Sequence, residues 1–168
     1  MIARQETHCT ALVLRVLSVL AIVFLLNHYL CLPISRFRSF QILKVPFARK
    51  WQHFVIGEDV FFAVASNSRS HDSPIFKWNG DMFVPFQTLP TVKAFDIEPF
   101  KIGEDTYLAV AIYYGRASHI YKWDGERFVK FQDIPAVGAD VERFKMNGST
   151  YLALTGMNRS EFFYGGNI

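Results

Sequence analysis

The chain has 168 residues, 18 Lys and Arg against 15 Asp and Glu, and a net charge of +3. That length fits about one domain, and charges of both signs are spread along it, whereas a nucleic-acid binder needs a concentrated basic face; the expectation is no nucleic-acid partner. Aromatic residues make up 16% of the chain and charged residues 20%, a balance that excludes disorder and favours strands, where flat rings pack well on a pleated surface.

The N-terminal region opens with a polar stretch and continues as an apolar run from Val16 to Leu26, broken only by Ser18. A membrane span needs about 20 apolar residues, whereas a secretory h-region needs roughly 7 to 15. Residues 1–35 therefore read as a signal peptide. Two features keep alternatives open: no small-x-small cleavage site precedes Pro33, and Arg36, Arg38, Lys44, Arg49 and Lys50 form a positive cluster downstream that resists translocation. The alternatives are an uncleaved anchor over residues 11–32 and an N-terminus joined to a foreign exon. Cys9 and Cys31, the two cysteines, both lie here, so the remainder has no intrachain disulfide, cysteine zinc site or thiol nucleophile.

After residue 50 the chain repeats itself. Ile56-Gly57-Glu58-Asp59 recurs as Ile102-Gly103-Glu104-Asp105, and Phe76-Lys77-Trp78-Asn79-Gly80 recurs as Tyr121-Lys122-Trp123-Asp124-Gly125. Phe83, Phe86, Gln87 and Pro90 return as Phe128, Phe131, Gln132 and Pro135. A third copy starts where Asp140-Val141-Glu142 and Phe144-Lys145-Met146 match Asp96-Ile97-Glu98 and Phe100-Lys101-Ile102, and it stops near Phe162-Phe163-Tyr164. Upstream, Phe37, Phe40, Gln41 and Leu43 match Phe83, Phe86, Gln87 and Leu89, so residues 37–47 read as the outer strand of a preceding or closing unit. The units are then 48–92, 93–137 and a truncated 138–168.

Each unit reads as four short strands. In the middle copy these fall near 96–102, 106–113, 119–123 and 127–133, with a matching set 45 or 46 residues earlier. The second strand is a nearly continuous apolar run, as expected of a strand buried on both faces. Asp124-Gly125 signals a two-residue hairpin of type I′, whose central positions both need positive φ. Four strands per ~45 residues is the size of a propeller blade, and no stretch after residue 50 shows an extended 3.6-residue apolar period. The predicted fold is all-β: a partial β-propeller of about three four-stranded antiparallel blades after the N-terminal hydrophobic segment, twelve strands in all. Too few blades to close a ring implies an open stack whose exposed aliphatic end faces favour self-association.

The turn after the first strand, the aliphatic second strand, the Tyr/Phe-Lys-Trp-x-Gly third strand and the Phe-x-x-Phe-Gln fourth strand resemble the EAR repeat, also called epitempin or EPTP. Similar repeats accompany laminin G domains and occur in the leucine-rich glioma-inactivated proteins. The resemblance covers about residues 37–164 and implies a secreted or cell-surface module that binds a protein partner without enzymatic activity, in signalling or adhesion. Family members carry seven blades. With about three, this chain reads as a fragment, truncated isoform or partial gene product, and the alternative function is a truncated form without binding activity of its own.

The chemistry-bearing residues weigh towards structure. His71-Asp72-Ser73 invites a triad reading, but three consecutive loop residues point in different directions, whereas a triad aligns two hydrogen bonds on one imidazole; no catalytic residue is assigned, and no cofactor. Asp96 and Asp140 open the first strands of their copies, which lie nearest a propeller axis, and are the candidate Ca²⁺ ligands. Trp78, Trp123, Phe86 and Phe131 are assigned as blade-packing aromatics. Asn147-Gly148-Ser149 and Asn158-Arg159-Ser160 are sequons, which makes Asn147 and Asn158 glycosylation candidates if the chain enters the secretory lumen.

Overall fold

The computed structural model describes residues 37–156 and 159–165. The chain divides into a unit ending at Phe40 and a second from Gln41 to Ile168, and every strand among the described residues lies in the second. Among the described residues eleven strands run in chain order: β1 (Ala48–Ile56), β2 (Asp59–Ser66), β3 (Ser73–Trp78), β4 (Phe83–Leu89), β5 (Ala94–Ile102), β6 (Asp105–Ile112), β7 (Ser118–Trp123), β8 (Phe128–Ile134), β9 (Asp140–Met146), β10 (Ser149–Thr155) and β11 (Ser160–Gly165). They form antiparallel meanders β1-β2-β3-β4, β5-β6-β7-β8 and β9-β10-β11. These are two complete blades and a three-stranded third, and no helix occurs among the described residues.

The inner strands neighbour one another across the blades, β1 beside β5 and β5 beside β9. Between the first two sheets lies one core, with Phe54, Phe61, Ala63, Ile97, Leu108, Tyr121 and Phe128 at its centre. The second core holds Phe100, Tyr107, Ala109, Val141, Leu152 and Leu154 between the second and third sheets. Both follow from the second strands: β6 is buried from Thr106 to Ile112, so its apolar run contributes one face to each core. This is the continuous hydrophobic pattern that two-sided burial demands.

The predicted strands of the middle copy agree with β5–β8 to within two residues. Three expectations are corrected. Phe37–Leu43 forms no strand; a strand exists through its ladder, and the ladder partner that the equivalent β4 and β8 find in β3 and β7 is missing from this stretch among the described residues. Instead Gln41 uses its side chain, as described below. Asp124-Gly125 does not make a two-residue type I′ turn. Only Gly125 has positive φ, at 110°, and the Asp124 carboxylate accepts the amides of Glu126 and Arg127, both at 2.9 Å. This side-chain-to-backbone pairing opens the connection to four residues. Asn79 does the same for Asp81 and Met82, at 3.0 and 2.9 Å. The two-residue geometry with both positions at positive φ belongs to Asn147 (52°) and Gly148 (81°), between β9 and β10. Finally, the outward faces of the first and third sheets carry rings where aliphatic side chains were expected. The third sheet presents Phe144, Tyr151, Phe162 and Tyr164, with Phe144 stacked on Tyr151 at 5.3 Å. The first sheet presents Trp51, His53, Phe62 and Phe83.

Candidate functional site

Repetition places like residues side by side where the blades meet. Along the inner strands, Lys50, Asp96 and Asp140 hold one equivalent position, and Gln52, Glu98 and Glu142 the next one on the same face, since strand side chains alternate with period two. Lys50 Nζ lies 3.6 Å from Asp96 Oδ1. Asp96 Oδ2 accepts the Val141 amide at 3.0 Å, and Oδ1 accepts the Ile97 amide at 2.8 Å. Gln52 donates to Glu98 at 3.1 Å. The ladder thus joins all three blades near their inner edge.

Burial dominates the electrostatics of this ladder. Asp96 is pushed up to about 6 by loss of water, with the neighbouring Asp140 carboxyl adding to it and the Val141 and Ile97 amides and Lys50 opposing it. Glu98 is pushed up to about 7, again chiefly by burial, then by the charge of Glu142, with Arg143 and Lys50 opposing. A calcium ion needs six or more oxygen ligands. Both Asp96 oxygens already accept main-chain amides, Asp140 is exposed, and no group of three or more His, Cys, Asp or Glu is placed to hold a metal among the described residues. The donor set here does not fit the ion.

At the outer edge a second device recurs. Gln87 on β4 donates to the Phe128 carbonyl at 2.7 Å and accepts its amide at 2.8 Å. Gln41 repeats this on Phe83, at 2.8 and 2.9 Å. Because β4 and β8 are edge strands, their outward amides and carbonyls would otherwise face water; each Gln satisfies one such pair. Sequence comparison finds these glutamines as repeats, and their role was missed there because only adjacency of blades supplies the partner. Lys77–Asp59 and Lys122–Asp105, both 2.8 Å, were also missed. Their signal was present: both lysines and both turn aspartates recur in step.

Of the packing aromatics, Trp123 lies 5.8 Å from Phe61, 6.0 Å from Phe86 and 5.2 Å from Phe128, filling the outer part of the first groove. Trp78 packs on Phe83 at 5.1 Å. Phe131 touches Tyr107 at 5.6 Å and remains half exposed. It stands at the second groove, where a cavity of about 870 Å³ is lined by Phe100, Tyr107, Phe131, Gln132, Phe163 and Gly165, with further residues around it. Strand pairing explains the void: β10–β11 register sets Tyr151 opposite Tyr164, as Tyr107 is set opposite Lys122 in the middle blade, so Gly165 takes the place of Trp123.

The would-be triad is dispersed. His71 Nδ1 bonds to Ser68 Oγ and Ser70 Oγ, both at 3.1 Å, Asp72 accepts the Thr91 amide at 3.1 Å, and Ser73 Oγ accepts from Thr91 Oγ1 at 2.6 Å. His71 serves its own loop, while Asp72 and Ser73 together hold Thr91. Asn147 is exposed at its turn, while Asn158, Cys9, Cys31 and the leader lie outside the described residues. No helix among the described residues is long and apolar enough to cross a membrane.

Comparison with known proteins adds an independent line. The EPTP domain family model matches residues 36–79 and 82–124, just over half of the chain. A human thrombospondin-type laminin G domain and EAR repeat-containing protein is 36% identical over 83 residues, and the mouse protein of that name matches to the same extent. The matched segment is 46% of this chain and 12% of either relative, so the chain spans a small part of their length.

Proposed function

The chain belongs to the EPTP domain family, and from that premise we propose that it is a non-enzymatic protein-interaction module, working outside the cell or at its surface in signalling or adhesion. The observation that carries this reading is the pair of consecutive EPTP matches, the first taking in β1–β3 and the second β4 with β5–β7. The disposition of the polar groups supports it. Asp96 and Glu98 tie blades together, and His71 bonds to Ser68 and Ser70 while Asp72 and Ser73 both hold Thr91, which leaves loops and blade faces as the parts able to meet a partner. Fold alone does not fix function, and the relatives' own domains extend well beyond the shared segment. Entry into the secretory lumen through Val16–Leu26 belongs to this proposal, and with it glycan attachment at Asn147 and Asn158.

The test is expression of the tagged chain in mammalian cells. The reading expects product in the medium or on the surface, endoglycosidase-sensitive mass that disappears with Asn147→Gln and Asn158→Gln, and saturable binding to intact cells that protease treatment of those cells removes. Product confined to the cytosol without glycan, or binding that never saturates, would overturn it.

A further inference from the structure

In an antiparallel meander every second connection lies at the same end of the strands, and the connections of this chain are sorted by charge. At one end, 57–58, 79–82, 103–104, 124–127 and 147–148 carry Glu58, Asp81, Glu104, Asp124 and Glu126 with a single cation, Arg127. At the other, 67–72, 90–93, 113–117 and 135–139 carry Arg69, Lys93 and Arg116 with a single acid, Asp72. A chain whose net charge is only +3 thus has an acidic and a basic end, which the even spread of charge along the sequence hides.

The basic end is continuous across the first two blades. The Asn67 amide donates to the Phe47 carbonyl at 3.0 Å and the Lys93 amide to the Ser68 carbonyl at 2.9 Å, so the approach to β1 meets the β2–β3 connection, and that meets the β4–β5 connection. Rings and cations alternate there: Arg49 lies 4.6 Å over the Phe95 ring, Phe95 lies 6.1 Å from Tyr114, and Lys93 lies 4.4 Å over Tyr114. Arg49, Arg69, Lys93 and Arg116 form no ion pair among the described residues. The three arginines are exposed, as are Phe47 at 70% and Tyr114 at 60%. Phe47 and Lys93 both hold a left-handed backbone, with φ of 54° and 58°, a conformation that costs a side-chain-bearing residue free energy and collects at functional surfaces. The neighbouring acids are engaged: Asp72 accepts the Thr91 amide, and Asp96 is buried beside Lys50. Asp140, at the head of β9, is exposed on the third blade.

We propose that this end binds a linear sulfated polysaccharide, its sulfates paired with Arg49, Arg69, Lys93 and Arg116 and its sugar rings lying on Phe47 and Tyr114. Charge complementarity calls for an anionic partner. Three of the four cations are arginine, whose planar fork presents two N–H donors to one oxyanion. Because the cations are spread over two blades, a chain with an anionic group on each repeating unit meets them at many registers, whereas a protein segment needs carboxylates set at matching places. The negative face of an exposed ring also receives the C–H groups of a sugar. The inference goes beyond the protein-partner reading and rests on this end of the blades alone, so either can fail without the other.

Titration of the purified full chain with heparin tests it, with desulfated heparin, polyglutamate and duplex DNA run beside it. Saturable binding to heparin is expected, weakened about tenfold or more between about 50 and 200 mM NaCl as counterions compete, and absent with desulfated heparin. Arg69→Glu combined with Arg116→Glu is expected to weaken it about tenfold or more with the thermal midpoint of the chain unchanged. Lys101→Glu combined with Lys145→Glu, at exposed positions toward the opposite end, changes the net charge equally and is expected to alter affinity by less than about twofold. Equal loss in the two double variants would overturn the proposal, since net charge alone would then govern binding. So would no loss in either, or tighter binding to polyglutamate or to duplex DNA than to heparin, which would give this end to an acidic protein segment or to a nucleic acid.

Discussion

Asp96 on β5 accepts the main-chain amide of Val141 on β9 at 3.0 Å, so a carboxylate that alternates onto the inner edge of one blade anchors the first strand of the next. That contact, with Glu98 two residues on, places two buried acids where the blades converge. Their chemistry makes stability depend on pH.

Burial raises Asp96 to about 6 and Glu98 to about 7, above their values in an unfolded chain, so the folded state holds these protons more tightly. Well below about pH 4 both acids are protonated in both states and the cost is absent; above about pH 8 both are ionised and the cost is complete. Stability from this pair therefore falls as pH rises between those limits. Glu98→Gln is expected to stabilise the fold by about 1–2 kcal/mol at pH 8 and negligibly near pH 4, read from urea midpoints at both values. A stabilisation independent of pH would refute the ionisation argument.

Gln87→Ala removes both hydrogen bonds to Phe128 and leaves a half-buried amide and carbonyl unsatisfied, an expected loss of about 1–3 kcal/mol. Gln132→Ala removes neither kind of bond among the described residues and should leave the urea midpoint unmoved. Equal losses at the two positions would show that the clasp is not what holds the first groove shut.

Truncating Trp123 to Ala empties the space between Phe61, Phe86 and Phe128, with an expected cost of about 3 kcal/mol. Calorimetry checks it. A change below about 0.5 kcal/mol would mean that the surrounding rings collapse to fill the site or that the indole does not pack there.

Much of this architecture was legible in the repeats. Shifts of 44 to 46 residues reproduce the strand order because each blade buries the same pattern, and β6 announced its two-sided burial by an unbroken apolar run. Phe37–Leu43 was misread as a strand because pattern specifies what can pair without supplying a partner. Asp124-Gly125 was misread because the dipeptide suits a tight turn, yet the carboxylate prefers two free amides. The inner ladder was half visible: Asp96 stood out as a repeated acid, but its engagement with Val141 depends on the approach of two sheets. Such contacts between blades leave no local trace in sequence.

Close approach at one glycine offers a packing test. A Cβ on Gly138 would sit 2.7 Å from Leu154 Cγ and 3.0 Å from the Thr155 carbonyl oxygen, and the Gly138 amide bonds Ile112 O at 3.0 Å across the second and third sheets. Gly138→Ala is expected to cost about 1–3 kcal/mol by overpacking, measured by urea denaturation. Full tolerance would mean that the third sheet does not lie against the second as described.

Hydrogen–deuterium exchange of the full chain tests most directly the central claim, that the repeats are blades joined in series by recurring side-chain clasps. The amides of Phe83, Phe128 and Val141 bond to side chains one repeat away, Gln41, Gln87 and Asp96, and not to a strand of their own sheet. The account predicts exchange at these three amides slowed by about 100-fold or more relative to an unfolded chain, comparable with the ladder amides of β6. Exchange at unprotected rates for these three, with β6 still protected, would contradict it: the sheets would then form without the joints between them.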